Sequence, residues 1–161
     1  MYPSSTRSFV RIEETPVNLR RVSLVATTVL VVAVVSLLFR RSLFGRTAFP
    51  IGLQAVAVAL MIWARLSFGS RSFHAGANPT AGGLVTTGPY RYIRHPIYAA
   101  ALFFVWTGVA AHGTIISVLT AIVATAAIAV RIGAEEALVS EIYPEYAGYA
   151  RRTKRIIPFV L

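Results

Sequence analysis

Cysteine is absent from the chain, and so is aspartate. Without cysteine there is no disulfide, no thiolate metal site and no cysteine nucleophile. Without aspartate a Ser-His-Asp triad is excluded. Carboxylates are limited to six glutamates: Glu13, Glu14, Glu135, Glu136, Glu141 and Glu145. The three histidines, His74, His95 and His112, stand far apart in sequence, so no metal site is expected. Charged residues make up only 14% of the chain, against roughly 25% in soluble domains.

Apolar residues fill the space that charge leaves. They are 56% of the chain and are gathered into runs. Val22–Phe39 is 18 residues without a charge, Ala48–Ala64 is 17, Ile97–Ala111 is 15 and Thr114–Val130 is 17. At about 1.5 Å per residue, each approaches a hydrocarbon core roughly 30 Å thick. The expected fold is therefore an all-α integral membrane protein with about four transmembrane helices. The first run exceeds the apolar core of a signal peptide, and "FRRSLFGR" stands where a small-residue cleavage site would be, so it is expected to be retained.

The net charge is +10. No soluble domain remains to carry a nucleic-acid site, so the arginines are read as flanking membrane spans and meeting anionic lipid heads. With a cytoplasmic N-terminus, 13 of the 16 basic residues fall on the cytoplasmic side. Only Arg40, Arg41 and Arg46 fall on the other. Excess positive charge marks the cytoplasmic face, so both termini are expected there. The expected location is a bacterial plasma membrane.

The chain is expected to form one membrane domain over residues 1–161. Residues 1–21 are a polar arm, 22–65 hold two spans and 66–96 form a long glycine-bearing connection. Residues 97–130 form a helical hairpin turned at "AAHGT", with Ala99, Ala100, Ala101, Gly108, Ala110 and Ala111 allowing close approach. Residues 131–161 form cytoplasmic helices, broken at Pro144, with Tyr146 and Tyr149 on one face.

Chemistry concentrates at two places. "TTGPYRYIRHPIYAA" holds Tyr90, Tyr92, His95 and Tyr98 between two oily stretches. The tyrosines fit an interfacial aromatic belt, and His95 could simply pack at the mouth of a span. Pro96 biases His95 toward an extended backbone, which frees its ring from the helix direction. The second place is "RIGAEEALVSEIY". Arg131 and Glu135 share a helix face and could form a plain surface ion pair. Glu135 and Glu136 point roughly 100° apart, so one can face the interior and the other solvent. A buried carboxylate needs a partner, and a cationic ligand would serve. "TAGGLVTTG" matches no phosphate-loop pattern, although its glycines permit close backbone approach.

In this order and spacing, "GGLVTTGPYRYIRHPIY" and "RIGAEEALVSEIYPEYAGYARRTKRIIPF" resemble the isoprenylcysteine carboxyl methyltransferase and phospholipid methyltransferase family of integral membrane enzymes. The likeness covers the C-terminal half, with Ala99 and Ala100 where the family often has glycine. It implies an S-adenosylmethionine-dependent methyltransferase without a Rossmann domain. The cofactor would lie in a cytoplasm-facing pocket, and a lipophilic acceptor would enter from the bilayer. Carried over by position, Gly82, Gly83, Leu84 and Val85 would line the adenosine side, making 66–96 a cofactor loop. Tyr90, His95, Pro96 and Tyr98 would wall the cofactor. Glu135 would bind it, with Glu136 beside it. Arg131 would be the catalytic residue facing the acceptor, which slightly favours carboxyl O-methylation of a lipid or isoprenoid-type molecule.

Two other readings stay open. A sterol-type reductase would need a basic cluster for the NADPH 2′-phosphate, which Arg71, Arg91 and Arg94 could offer. A non-catalytic membrane scaffold would bind no cofactor.

Overall fold

The computed structural model describes residues 15–69 and 84–157, with side chains from residue 18 onward. Among the described residues five α-helices run in order: α1 (Thr15–Phe39), α2 (Ala48–Phe68), α3 (Pro96–Ala110), α4 (Ile115–Ile142) and α5 (Tyr146–Arg152). A one-turn 3₁₀ helix, Gly88–Arg91, leads into α3. Among the described residues there is no sheet, only a parallel bridge between Ile93 and Lys154.

Three helices, α1, α2 and α4, are long and apolar enough to cross a bilayer. The expectation of about four spans meets one difference. Helix α3 has 15 residues, about 22 Å of rise, and falls short of the hydrocarbon thickness. Pro96 at its first turn sets the start. The opposite holds for α4. Its 28 residues rise about 42 Å, so its last turns, with Arg131, Glu135 and Glu136, extend past the apolar run.

Outward faces are oily. Val25, Val32 and Phe39 of α1 are 64%, 63% and 84% exposed, as lipid-facing side chains are. Inward faces are small: Ala26 and Ala33 of α1 and Ala121, Ala124 and Ala127 of α4 are buried. Short side chains let backbones approach, which matters in lipid, where apolar burial gives helices little reason to associate. Helix α4 packs mainly along α1, and α3 mainly along α2. The pairing of α3 with α4 expected from their short connection is the smaller contact. Gly108 is used instead against the α1–α2 connection, where a Cβ would fall 2.0 Å from the Leu43 carbonyl oxygen.

That connection is pinned. Buried Gln54 donates to the Leu43 carbonyl at 2.8 Å and the Phe104 carbonyl at 3.1 Å, and accepts from the Gly45 N–H at 2.9 Å. Helix α1 closes with bonds from the Ser42 N–H to the Leu37 carbonyl and from the Arg41 N–H to the Leu38 carbonyl. In this cap glycine usually takes the left-handed position. Here Arg41 holds it at φ 54°, at a cost of about 1–2 kcal/mol.

Candidate functional site

The polar end of the bundle begins at a tight turn. Gly88 has φ +58°, and a Cβ there would lie 2.1 Å from Ser67 Oγ. Only glycine fits both the conformation and the approach to the end of α2. Pro89 and Tyr90 are buried behind it, with the Tyr90 ring 5.5 Å from Phe68.

The next residues lie beside the C-terminal segment. The Arg94 N–H donates to the Lys154 carbonyl at 2.7 Å, the His95 N–H to the Arg155 carbonyl at 3.0 Å, and the Lys154 N–H to the Tyr92 carbonyl at 3.2 Å. Helix α5 locks the turn from below. Tyr149 OH donates to the Tyr90 carbonyl at 2.7 Å, and the Tyr146 and Tyr149 rings meet edge-on at 6.1 Å. Burial pushes the Tyr149 hydroxyl up to about 12 and raises those of Tyr90 and Tyr146 above their ordinary value, so all three stay protonated donors.

Onto this frame α4 delivers its two glutamates. Glu135 Oε1 accepts from Tyr98 OH at 2.5 Å and from Arg131 Nε at 3.0 Å. Arg131 Nε also meets the Tyr98 hydroxyl, and Arg131 Nη1 meets Thr27 Oγ1 of α1. Glu136 Oε1 accepts from Arg94 Nε at 2.8 Å and lies 3.2 Å from His95 Nε2. Its Oε2 accepts from Arg155 Nε at 3.0 Å. His95 stands between the glutamates, with Nδ1 3.9 Å from Glu135 Oε2, and its ring stacks on Tyr98 at 5.7 Å. Arg94 Nη1 donates to the Ala150 and Thr153 carbonyls at 3.0 and 2.6 Å.

The structure therefore gathers Tyr98, His95, Arg131, Glu135 and Glu136 into one network. Neither glutamate turns to solvent, because the neighbouring segments supply cations on both sides; their side chains are only 21% and 13% exposed. Arg131 and Glu135 are likewise no plain surface pair. Tyr90 joins the site through its backbone carbonyl and its ring against α2. Pro96 is fully buried and shapes the turn. Leu84 and Val85 are half-buried where the chain enters the turn. Gly82 and Gly83 lie outside the described residues, as does Arg71. Thr27, Arg155 and Thr153 escaped the sequence reading, since a hydroxyl inside an apolar span and residues of a basic tail carry no local mark.

Long apolar helices capped at one end by a buried arginine–glutamate–tyrosine network define an integral membrane protein with a polar site at the edge of its bundle. Residues 45–146, well over half the chain, match the family model for phospholipid methyltransferases. The chain belongs to that family of membrane methyltransferases. No curated protein and no solved structure matches it.

Proposed function

We propose that the protein transfers a methyl group from S-adenosylmethionine to a lipophilic acceptor, with a lipid carboxylate as the favoured acceptor and both termini in the cytoplasm. The observation that carries this reading is the Tyr98–Glu135–Arg131 triad beside the stacked His95 ring. When bound, S-adenosylmethionine supplies an electrophilic methyl on a sulfonium and leaves as S-adenosylhomocysteine. The residues present fit such a cation. Aromatic faces and a carboxylate both stabilise positive charge. Glu135 is the more exposed glutamate and takes the ligand-binding role, while Glu136 has both oxygens held by Arg94, His95 and Arg155 and acts as a positioning residue. Leu84 and Val85, half-buried where the chain enters the turn, line the adenosine side.

The remaining work is alignment and the exclusion of water. Arg131, 8% exposed and held between α1 and α4, orients an acceptor carboxylate from the lipid side. A carboxylate acceptor carries no proton to remove, so no residue here need act as a base, and the buried setting around Arg131 would favour a charge-neutralising transfer. A second reading is methylation at the amine headgroup of a phospholipid, phospholipid being the acceptor class in the family's description. A nicotinamide reading loses one of its three arginines, because Arg94 is committed to Glu136 and two backbone carbonyls.

Isotopically labelled methyl donor incubated with the protein and a total lipid extract tests this. Base-labile label in a methyl ester supports the carboxyl acceptor. Base-stable label in an amine headgroup supports the second reading. Label in neither, with no binding of S-adenosylhomocysteine, overturns both.

A further inference from the structure

The end of the bundle away from this network carries a cavity of about 510 Å³ between the start of α2 and the end of α3. Its walls are Phe49, Leu53, Phe103 and Trp106, and Arg46 stands on its rim. Along α3 the groove begins at Phe103, about 7 Å from Tyr98, and runs away from it to Ala111, about 20 Å off; Arg46 and the head of the groove stand at that far end. The charge here has one sign. The α1–α2 connection holds Arg40, Arg41 and Arg46 and no carboxylate. Glu135, Glu136, Glu141 and Glu145, the carboxylates among the described residues, all lie at the other end of α4 or beyond it. An arginine even occupies the left-handed cap position that glycine would fill without strain. The connection is rigid, because Gln54 fastens Leu43, Gly45 and Phe104 together. Arg46 is thus offered on a fixed ledge beside an apolar slot, at the depth where the apolar run of α1 ends and headgroups begin.

We propose that this groove binds one anionic phospholipid from the surrounding leaflet, its acyl chain against Phe49, Leu53, Phe103 and Trp106 and its phosphate on Arg46. Charge complementarity selects the head, and the aromatic slot distinguishes this lipid from the mobile shell around the bundle. Phosphatidylcholine carries the same phosphate, so the preference comes from its ammonium, which Arg40, Arg41 and Arg46 disfavour; an exposed charge interaction of that kind corresponds to about a fivefold preference for the anionic lipid.

Native mass spectrometry of the full chain in detergent, titrated with phosphatidylglycerol or phosphatidylcholine of identical chains, tests the proposal. One phosphatidylglycerol is expected to bind about fivefold more tightly. Arg46→Gln should abolish that preference, whereas Arg151→Gln, at an exposed position of α5, should leave it. Ala110→Trp, which fills the groove without touching charge, should also remove the bound lipid. Glycerol 3-phosphate, which has the phosphate without chains, should bind far more weakly. Equal retention of both lipids, an unaltered preference in Arg46→Gln, or binding of glycerol 3-phosphate as tight as the lipid overturns the proposal. A dimer lost on Ala110→Trp, with no change in bound lipid, also overturns it, by making a second copy the occupant.

Discussion

Thr27 of α1 meets the guanidinium of Arg131 on α4, although 104 residues separate them. The contact joins the first apolar helix to the polar network, so α1 is more than a membrane anchor. Hydrogen bonds to charged groups contribute roughly 1.5–3 kcal/mol. Thr27→Val keeps the shape and removes the hydroxyl. It is expected to lower stability in detergent by about 1–2 kcal/mol. It should raise KM for the lipid acceptor several-fold, while S-adenosylhomocysteine binding stays within about twofold. Thr27→Ser should restore the acceptor KM. Loss of cofactor-analogue binding in Thr27→Val, measured by calorimetry, would count against this division of roles.

Adjacent glutamates should separate cleanly by mutation. Glu136→Gln keeps one acceptor oxygen but takes the counter-charge from Arg94 and Arg155, and leaves His95 only Glu135, 3.9 Å from its Nδ1, as a carboxylate neighbour. Breaking a buried pair by removing one partner costs about 3–5 kcal/mol, and the partial exposure here places the loss toward the lower end. Glu135→Gln keeps an acceptor for Tyr98 but takes the counter-charge from buried Arg131, so it too should melt lower. It alone should bind S-adenosylmethionine at least tenfold more weakly. Calorimetry, rather than thermal melting, should therefore separate the two variants. Equal loss of stability with unchanged cofactor binding in Glu135→Gln would remove Glu135 from the pocket.

Much of this was legible in the chain because lipid imposes simple rules. Charge-free runs announced the helices, Pro96 and Pro144 announced where helices begin and end, and the arg-his-pro-x-tyr and paired-glutamate segments announced the polar residues. Pairing between helices was not legible. The short turn at His112–Thr114 suggested that α3 and α4 pack together, yet small residues on α1 and α4 win that contact. Local connection says which helices are consecutive, whereas close packing depends on which faces are small along their whole length. The second carboxylate was misjudged for a related reason. Helix geometry placed Glu136 about 100° from Glu135 but could not show the returning C-terminal segment that brings Arg155 to it.

Gly88 offers a test of the turn that presents the site. Gly88→Ala adds a Cβ into Ser67 and strains a backbone at φ +58°. Strain of that kind is about 1–2 kcal/mol, with the overlap in addition. Ser67→Gly in the same chain should relieve the overlap and leave the strain, so the double variant should regain part of the lost melting temperature. No recovery at all would mean that the turn does not bear on the end of α2 as described.

High pH should loosen the C-terminal clasp. Tyr149, pushed up to about 12 by burial, donates to the Tyr90 carbonyl and must keep its proton to do so. In the unfolded chain a tyrosine ionises near 10. Its folded value is raised, so its contribution is full below about pH 10 and is lost progressively as pH climbs toward about 12. Tyr90 and Tyr146, also raised by burial, act in the same direction. Melting temperature measured from pH 9 to 11.5 should therefore fall with a slope that Tyr149→Phe reduces. The same variant should melt lower at pH 8, because the Tyr90 carbonyl loses its donor. A Tyr149→Phe profile parallel to that of the native chain would show that the hydroxyl does not hold its proton through the Tyr90 contact.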